Sequence, residues 1–391
     1  MPPLRAADGR TRRFRALPER LAHIPSLRVG EALRLIPAEA PAVSPEPTTG
    51  DGGLFLRSLD RYRDVVMTEM RRVIAAKRFQ RALAQRLADY PLRSGKGLRP
   101  ALCLATCQAF GGRAEDALPS ATSLEFFHNA FLVHDDVEDE SINRRGAPTM
   151  HSKHGVAIAV NVGDALNVLS MTPLLDNLEV VGLEKSLRIF REIERMACES
   201  VEGQALELEW VRNRHWNLTD RHYHVMTCKK TCWYTCITPL RVGAIIGARH
   251  DVDLEVFVRF GTLMGIAFQI QDDLLNLLGE EGKYGKETAG DIWEGKRTLM
   301  LIHLLQHATV RERRRVVRVM SKSREEKAGG EVEEVLALMR RHGSLDHGRR
   351  VAREFANRAK GLFGRSMGDL PASPHKQFLH EMIEYVINRD L

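Results

Sequence analysis

Glu125-Phe126-Phe127-His128-Asn129-Ala130-Phe131-Leu132-Val133-His134-Asp135-Asp136-Val137-Glu138-Asp139 is an apolar helical run that ends abruptly in four carboxylates. Residues four apart share a helix face, so Asp135 and Asp139 project together. An unpaired charge against apolar walls costs several kcal/mol, so such a cluster calls for cations. A second stretch, Gly265-Ile266-Ala267-Phe268-Gln269-Ile270-Gln271-Asp272-Asp273-Leu274-Leu275-Asn276, repeats the arrangement, with Asp272 and Asn276 on one face. Two such walls facing each other across a cavity would hold a hard divalent metal through oxygen ligands. Their similar settings hint at an old pseudo-symmetry.

Outward from these clusters the chain reads as helix after helix. Apolar periodic segments run over 100–110, 119–133, 156–175, 183–210, 222–248 and 254–278, punctuated by Pro91, Gly111-Gly112, Gly146, Gly182, Asn217, Gly279 and Gly329-Gly330. Alternating Val/Ile/Thr runs are missing, which predicts an all-α fold: a large single-domain helical bundle around a central cavity, over 53–391. The Arg-, Ala- and Pro-rich stretch 1–52 reads as a disordered tail, too acidic for a transit peptide. No apolar run of membrane-spanning length is expected.

The 391 residues carry a net charge of +7, but acidic and basic residues interleave and only 6% are aromatic, which argues against a nucleic-acid partner. An anionic small substrate accounts for the basic excess. Six cysteines form no CxxC pair; Cys228, Cys232 and Cys236 make a helical stripe of small buried thiols, consistent with a reduced, cytoplasmic setting. His222 and His224 just upstream leave a zinc site as an alternative.

The mouths of both clusters are basic. Arg144-Arg145-Gly146 follows the first, fork-shaped donors suited to phosphate oxygens. Gly282-Lys283-Tyr284-Gly285-Lys286, Asp291 and Lys296 follow the second. Neither a Walker spacing nor a preceding strand is present, so a P-loop is excluded.

Together with Gly95-Lys96-Gly97-Leu98-Arg99-Pro100 and Lys230-Thr231, these ordered motifs resemble the trans-isoprenyl diphosphate synthases, and among them the geranylgeranyl diphosphate synthases, over residues from about 90 to 305. The resemblance implies a Mg²⁺-dependent prenyltransferase that joins isopentenyl diphosphate to an allylic diphosphate. Three Mg²⁺ ions would bridge the walls, with Asp135, Asp139 and Asp272 as direct ligands and Asp136, Asp273 and Asp291 orienting bound water. Asn276 stands where a third aspartate is common and would keep an oxygen ligand. Lys96, Arg99, His128 and Arg145 match positions that hold isopentenyl diphosphate. Arg144, Lys230 and Lys296 match the allylic diphosphate clamp, with Lys286 also in the substrate set and Thr231 and Gln269 beside the reacting carbons. Family members form homodimers through apolar helix faces, and the same is expected here.

Product length follows cavity depth, since each helical turn below Asp135 adds ~5.4 Å. Small Ala130, a floor of Phe126 and Phe127, and Phe131 on the wall favour a C20 product, with C15 or C25 next. A terpene cyclase on the same fold would have no use for the isopentenyl set. A non-catalytic partner subunit would tolerate loss of the aspartates, which are all present.

Overall fold

A computed structural model describes residues 52–93, 95–279 and 287–388. The tail expected over 1–52 therefore falls almost wholly outside the described residues, as does Lys286. The elements run α1 Gly52–Ala76, α2 Arg81–Leu92, α3 Leu98–Ala109, α4 Ala114–Glu138, β1 Asn143–Arg144, β2 Ala147–Pro148, α5 Met150–His154, α6 Val156–Val180, α7 Gly182–Arg212 and α8 Asp220–Thr227. A π-helix over Cys228–Ile237 joins α8 to α9 Thr238–Gly247, and α10 Glu255–Leu278 follows. The remaining helices are α11 Gly290–Glu294, α12 Leu299–His307, α13 Val310–Met320, α14 Gly329–Arg341, α15 Ser344–Ser366 and α16 Pro374–Asn388.

The all-α expectation holds, and the two short strands form one antiparallel hairpin, Asn143 opposite Pro148 and Arg144 opposite Ala147. Its central residues, Arg145 and Gly146, have φ of 53° and 72°. Positive φ at both matches the twist of a two-residue hairpin, so the chain reverses sharply and keeps two arginines beside the end of α4. Pro119 lies inside α4 instead of opening it, and Gly329-Gly330 begins α14 instead of only interrupting the chain.

The middle of the bundle is α3, α4, α9, α10 and the π-helix. α3 is buried along nearly its whole length and α9 entirely. They cross closely because a Cβ at Gly243 would come within 2.5 Å of Cys103 O, and one at Gly247 would overlap Cys107 O. Cys103 and Cys107 therefore sit where the helices meet, Cys198 is exposed, and all six thiols are free.

α6 departs from expectation: by length and composition it could cross a membrane, with 44% of its most apolar window buried. Asn161, Asp164 and Asn167 break its apolar run, which is why no uninterrupted stretch stands out. One face packs on α4. The other leaves Val168, Met171 and Leu175 exposed, next to Leu183, Leu187 and Phe190 of α7.

Candidate active site

Asp135 sits one turn before the end of α4, and Asp139 caps that helix, its N–H bonded to Asp135 O at 2.8 Å. The Arg144 guanidinium reaches back from the hairpin, donating from Nε to Asp136 Oδ1 at 2.8 Å and from Nη2 to Asp135 Oδ2 at 3.2 Å. Asp136 is almost fully buried and also accepts a 2.6 Å hydrogen bond from the Tyr90 hydroxyl. It is not on the cavity wall. Its carboxylate is engaged by Arg144 and Tyr90, behind the wall.

Lys230 and Thr231 lie on the π-helix, a form whose extra residue per turn recurs at functional sites. The segment comes close to α7 because Gly203 has no side chain; a Cβ there would overlap Lys230 N and Cα. Lys230 Nζ then lies 3.1 Å from Asp135 Oδ1 and 2.5 Å from Glu207 Oε2. Burial works to lower the Lys230 ammonium, but Asp135 and Glu207 outweigh it and hold it above its ordinary range. Thr231 Oγ1 donates to Gln269 Oε1 at 2.8 Å, and Gln269 Nε2 to Asp273 Oδ1 at 2.7 Å.

Lys296 follows α11 and faces Asp139 at 2.6 Å and Glu294 at 2.9 Å. Burial and the neighbouring Asp135 carboxylate push the Asp139 carboxyl up to about 8. Burial likewise pushes Asp273 up to about 7, against hydrogen bonds from Gln269 and Tyr223. Asn276 Oδ1 accepts from Asp291 N at 2.9 Å, so the amide that replaces a carboxylate here secures the turn carrying Asp291.

Beside the first acidic wall the cavity is basic. Arg99 Nη1 and Arg145 Nη2 approach His128 Nε2 at 3.2 and 3.4 Å. Burial and the Arg99 and Arg145 guanidiniums hold His128 well below the usual imidazole range, so it is neutral and presents Nε2 as acceptor. Arg99 also stacks 4.3 Å over the Tyr234 ring, and Lys96 Nζ lies 5.3 Å from the Tyr385 ring of α16.

The acidic and basic groups share one cavity of about 1040 Å³. Of the residues expected at the site, Lys96, Arg99, His128, Asp135, Arg144, Arg145, Lys230, Thr231, Gln269, Asp272, Asp273, Asn276, Asp291 and Lys296 line it, while Asp139, expected as a direct ligand, stands just behind the wall against Lys296. Of the four residues expected to set product length, only Phe131 lines it. Phe127 stands behind Phe131 with ring centroids 6.2 Å apart, while Phe126 and Ala130 are fully buried in helix packing away from the wall. Periodicity explains the correction: Phe131 is four residues from Asp135, whereas positions five and nine away turn to other faces. Glu125, Glu207, Tyr223 and Tyr234 also line the cavity and were not assigned a role from the sequence. The i+4 pair Glu125–Asn129 was the one available local signal among them.

No three His, Cys, Asp or Glu side chains among the described residues already stand at coordinating distances. The zinc alternative has no footing: His222 caps α8 through Thr219, and His224 packs on Phe355. The acidic walls are instead engaged by the site's own cations. Carboxylate oxygens, buried in excess until Lys230, Arg144 and Lys296 balance them, are a donor set that fits a hard divalent ion.

Acidic walls, fixed cations and a greasy hollow between helices define an enzyme that handles diphosphate-bearing substrates. The chain belongs to the polyprenyl synthetase family, whose match spans residues 81–339, and is a prenyltransferase. It is 33% identical over 272 residues to a geranylgeranyl diphosphate synthase of Saccharolobus solfataricus, covering 68% of this chain and 78% of that one. A geranylgeranyl pyrophosphate synthetase from Pyrococcus horikoshii superposes with a TM-score of 0.75 at 29% identity, covering 86% of this chain and 99% of that one. A polyprenyl synthase from Caulobacter crescentus, solved with calcium and isoprenyl diphosphate, superposes with a TM-score of 0.74 at 27% identity, covering 88% and 99%.

Proposed function

We propose that this chain is a cytoplasmic, Mg²⁺-dependent geranylgeranyl diphosphate synthase that extends an allylic diphosphate with isopentenyl diphosphate and releases diphosphate. The observation that carries this reading is the placing of two acidic walls and the Lys96, Arg99, His128, Arg145 patch around one cavity. Mg²⁺, three ions by the resemblance, supplies positive charge where the leaving diphosphate develops negative charge. Asp135, Asp139 and Asp272 hold it. Arg144, Lys230 and Lys296, already beside those carboxylates, turn to the allylic diphosphate oxygens. Gln269 and Thr231 present dipoles to the allylic cation without trapping it. The basic patch keeps the homoallylic double bond close, so that the allylic C–O bond breaks, one C–C bond forms and one proton leaves.

The test is incubation with Mg²⁺, labelled isopentenyl diphosphate and dimethylallyl, geranyl or farnesyl diphosphate, followed by sizing of the dephosphorylated products. We expect C20 alcohol, lost on chelation with EDTA. Turnover undiminished by EDTA, or hydrocarbon free of isopentenyl label, would reject the reading.

Phe131 sets the length. Its ring lies against Tyr234 at 5.7 Å and is backed by Phe127, so chain growth past it needs that ring removed. Phe131→Ala is expected to shift the main product beyond C20 on reversed-phase chromatography; an unchanged product would place the stop elsewhere.

The exposed face of α6 and α7 supports a homodimer, because a contiguous apolar surface of this kind is what subunit contacts cover. Leu175→Asp puts a charge at its centre and is expected to convert a dimer to monomer in light scattering. A wild-type protein of monomer mass would end this proposal.

A further inference from the structure

The second aspartate of each pair is held in the same way, by one residue nearby in sequence and by one tyrosine far away. Asp136 Oδ1 accepts from Arg144 Nε at 2.8 Å, and its Oδ2 accepts from the Tyr90 hydroxyl at 2.6 Å. Asp273 Oδ1 accepts from Gln269 Nε2 at 2.7 Å, and its Oδ2 accepts from the Tyr223 hydroxyl at 2.7 Å. Each tyrosine is 1% exposed and comes from a helix outside its cluster, α2 for Tyr90 and α8 for Tyr223. Tyr90 Oη also accepts the Met150 N–H at 3.0 Å, which commits its own proton to Asp136. The pseudo-symmetry of the two acidic motifs thus extends to their bracing.

We infer that Tyr90 and Tyr223 are a matched pair of positioning residues. Each pins the second aspartate of one pair and so fixes the group that aspartate holds toward the substrate, Arg144 on one side and Gln269 on the other. This inference rests on the roles proposed above for Arg144 and Gln269. The two struts act on different stages. Tyr90 works through Asp136 and Arg144 on the grip on allylic diphosphate. Tyr223 works through Asp273 and Gln269, which also takes the Thr231 hydroxyl, on the environment of the reacting carbons. A hydrogen bond that orients a functional group commonly changes affinity or turnover by roughly 10- to 100-fold when removed.

Replacement by phenylalanine keeps the ring and its packing, and Tyr62→Phe serves as the control. That tyrosine is also buried, but its hydroxyl bonds Gln108 and His375, away from the cavity. Tyr90→Phe is expected to raise KM for the allylic diphosphate about tenfold with kcat within about twofold. Tyr223→Phe should lower kcat about tenfold with that KM within about twofold. Tyr62→Phe should leave both constants at wild-type values even if its melting temperature falls. Wild-type constants in either active-site variant, or losses of kcat that merely follow the folded fraction, overturn the inference. Calorimetric binding of Mg²⁺ with inorganic diphosphate gives a readout independent of turnover, on which Tyr90→Phe is expected to bind about tenfold more weakly. If wild type binds but elongates nothing, the proposed function fails, and equal binding by wild type and Tyr90→Phe overturns the strut itself.

Discussion

Asp135→Asn lowers kcat for chain elongation by about 10³-fold, an upper-range effect for one group aimed at developing charge in a dry site. The substitution keeps shape and removes a single negative charge. Asp135 is the hub of its wall, reached by Arg144 Nη2 at 3.2 Å and by Lys230 Nζ at 3.1 Å. Without its charge, metal affinity drops and two cations converge on a neutral amide, so Lys230 is left to Glu207 alone. Steady-state kinetics across a Mg²⁺ titration is the measurement. A variant within tenfold of wild type at saturating Mg²⁺ would remove Asp135 from the direct ligands.

Gly203→Ala has the next largest effect, with no change of charge or hydrogen-bonding group. The added methyl overlaps the backbone of Lys229 and Lys230, so either α7 or the π-helix must move. Overpacking of this kind costs about 1–3 kcal/mol, and the π-helix is also fixed from its far side, where Gly265 meets Cys232 and Gly261 meets Ile237. The strain therefore shifts Lys230 and Thr231, and a displacement near 1 Å is enough to cost about 100-fold in rate. We expect kcat to fall by about that factor while the circular dichroism spectrum stays helical. Wild-type turnover in a folded Gly203→Ala protein would show that the close approach has no part in placing Lys230.

The helices and the cavity wall were readable because both follow from short-range rules. A 3.6-residue repeat gives the helices, and carboxylates four apart ending an apolar run give each acidic wall. The arginines of the hairpin could be tied to phosphate because they follow within a few residues. What stayed hidden depends on long-range meeting. Tyr90 is 46 residues from Asp136 and Tyr223 is 50 from Asp273, and no local pattern announces either contact. Glu207 looks like one more charge on an amphipathic helix until the fold sets it against Lys230. The π-helix is equally silent, since its residues suit an α-helix and its extra residue per turn comes from packing between α7 and α10. Phe126 and Ala130 were misplaced for a simpler reason: depth was counted in turns while the face was left out.

Asp135, Asp136 and Asp139 are already paired with Arg144, Lys230 and Lys296, which would make filling the site an exchange of partners. Under the proposed function, divalent ions held by the carboxylates would free the ammonium and guanidinium groups for phosphate oxygens. The hollow would then take up its charged cargo with little change in net electrical balance.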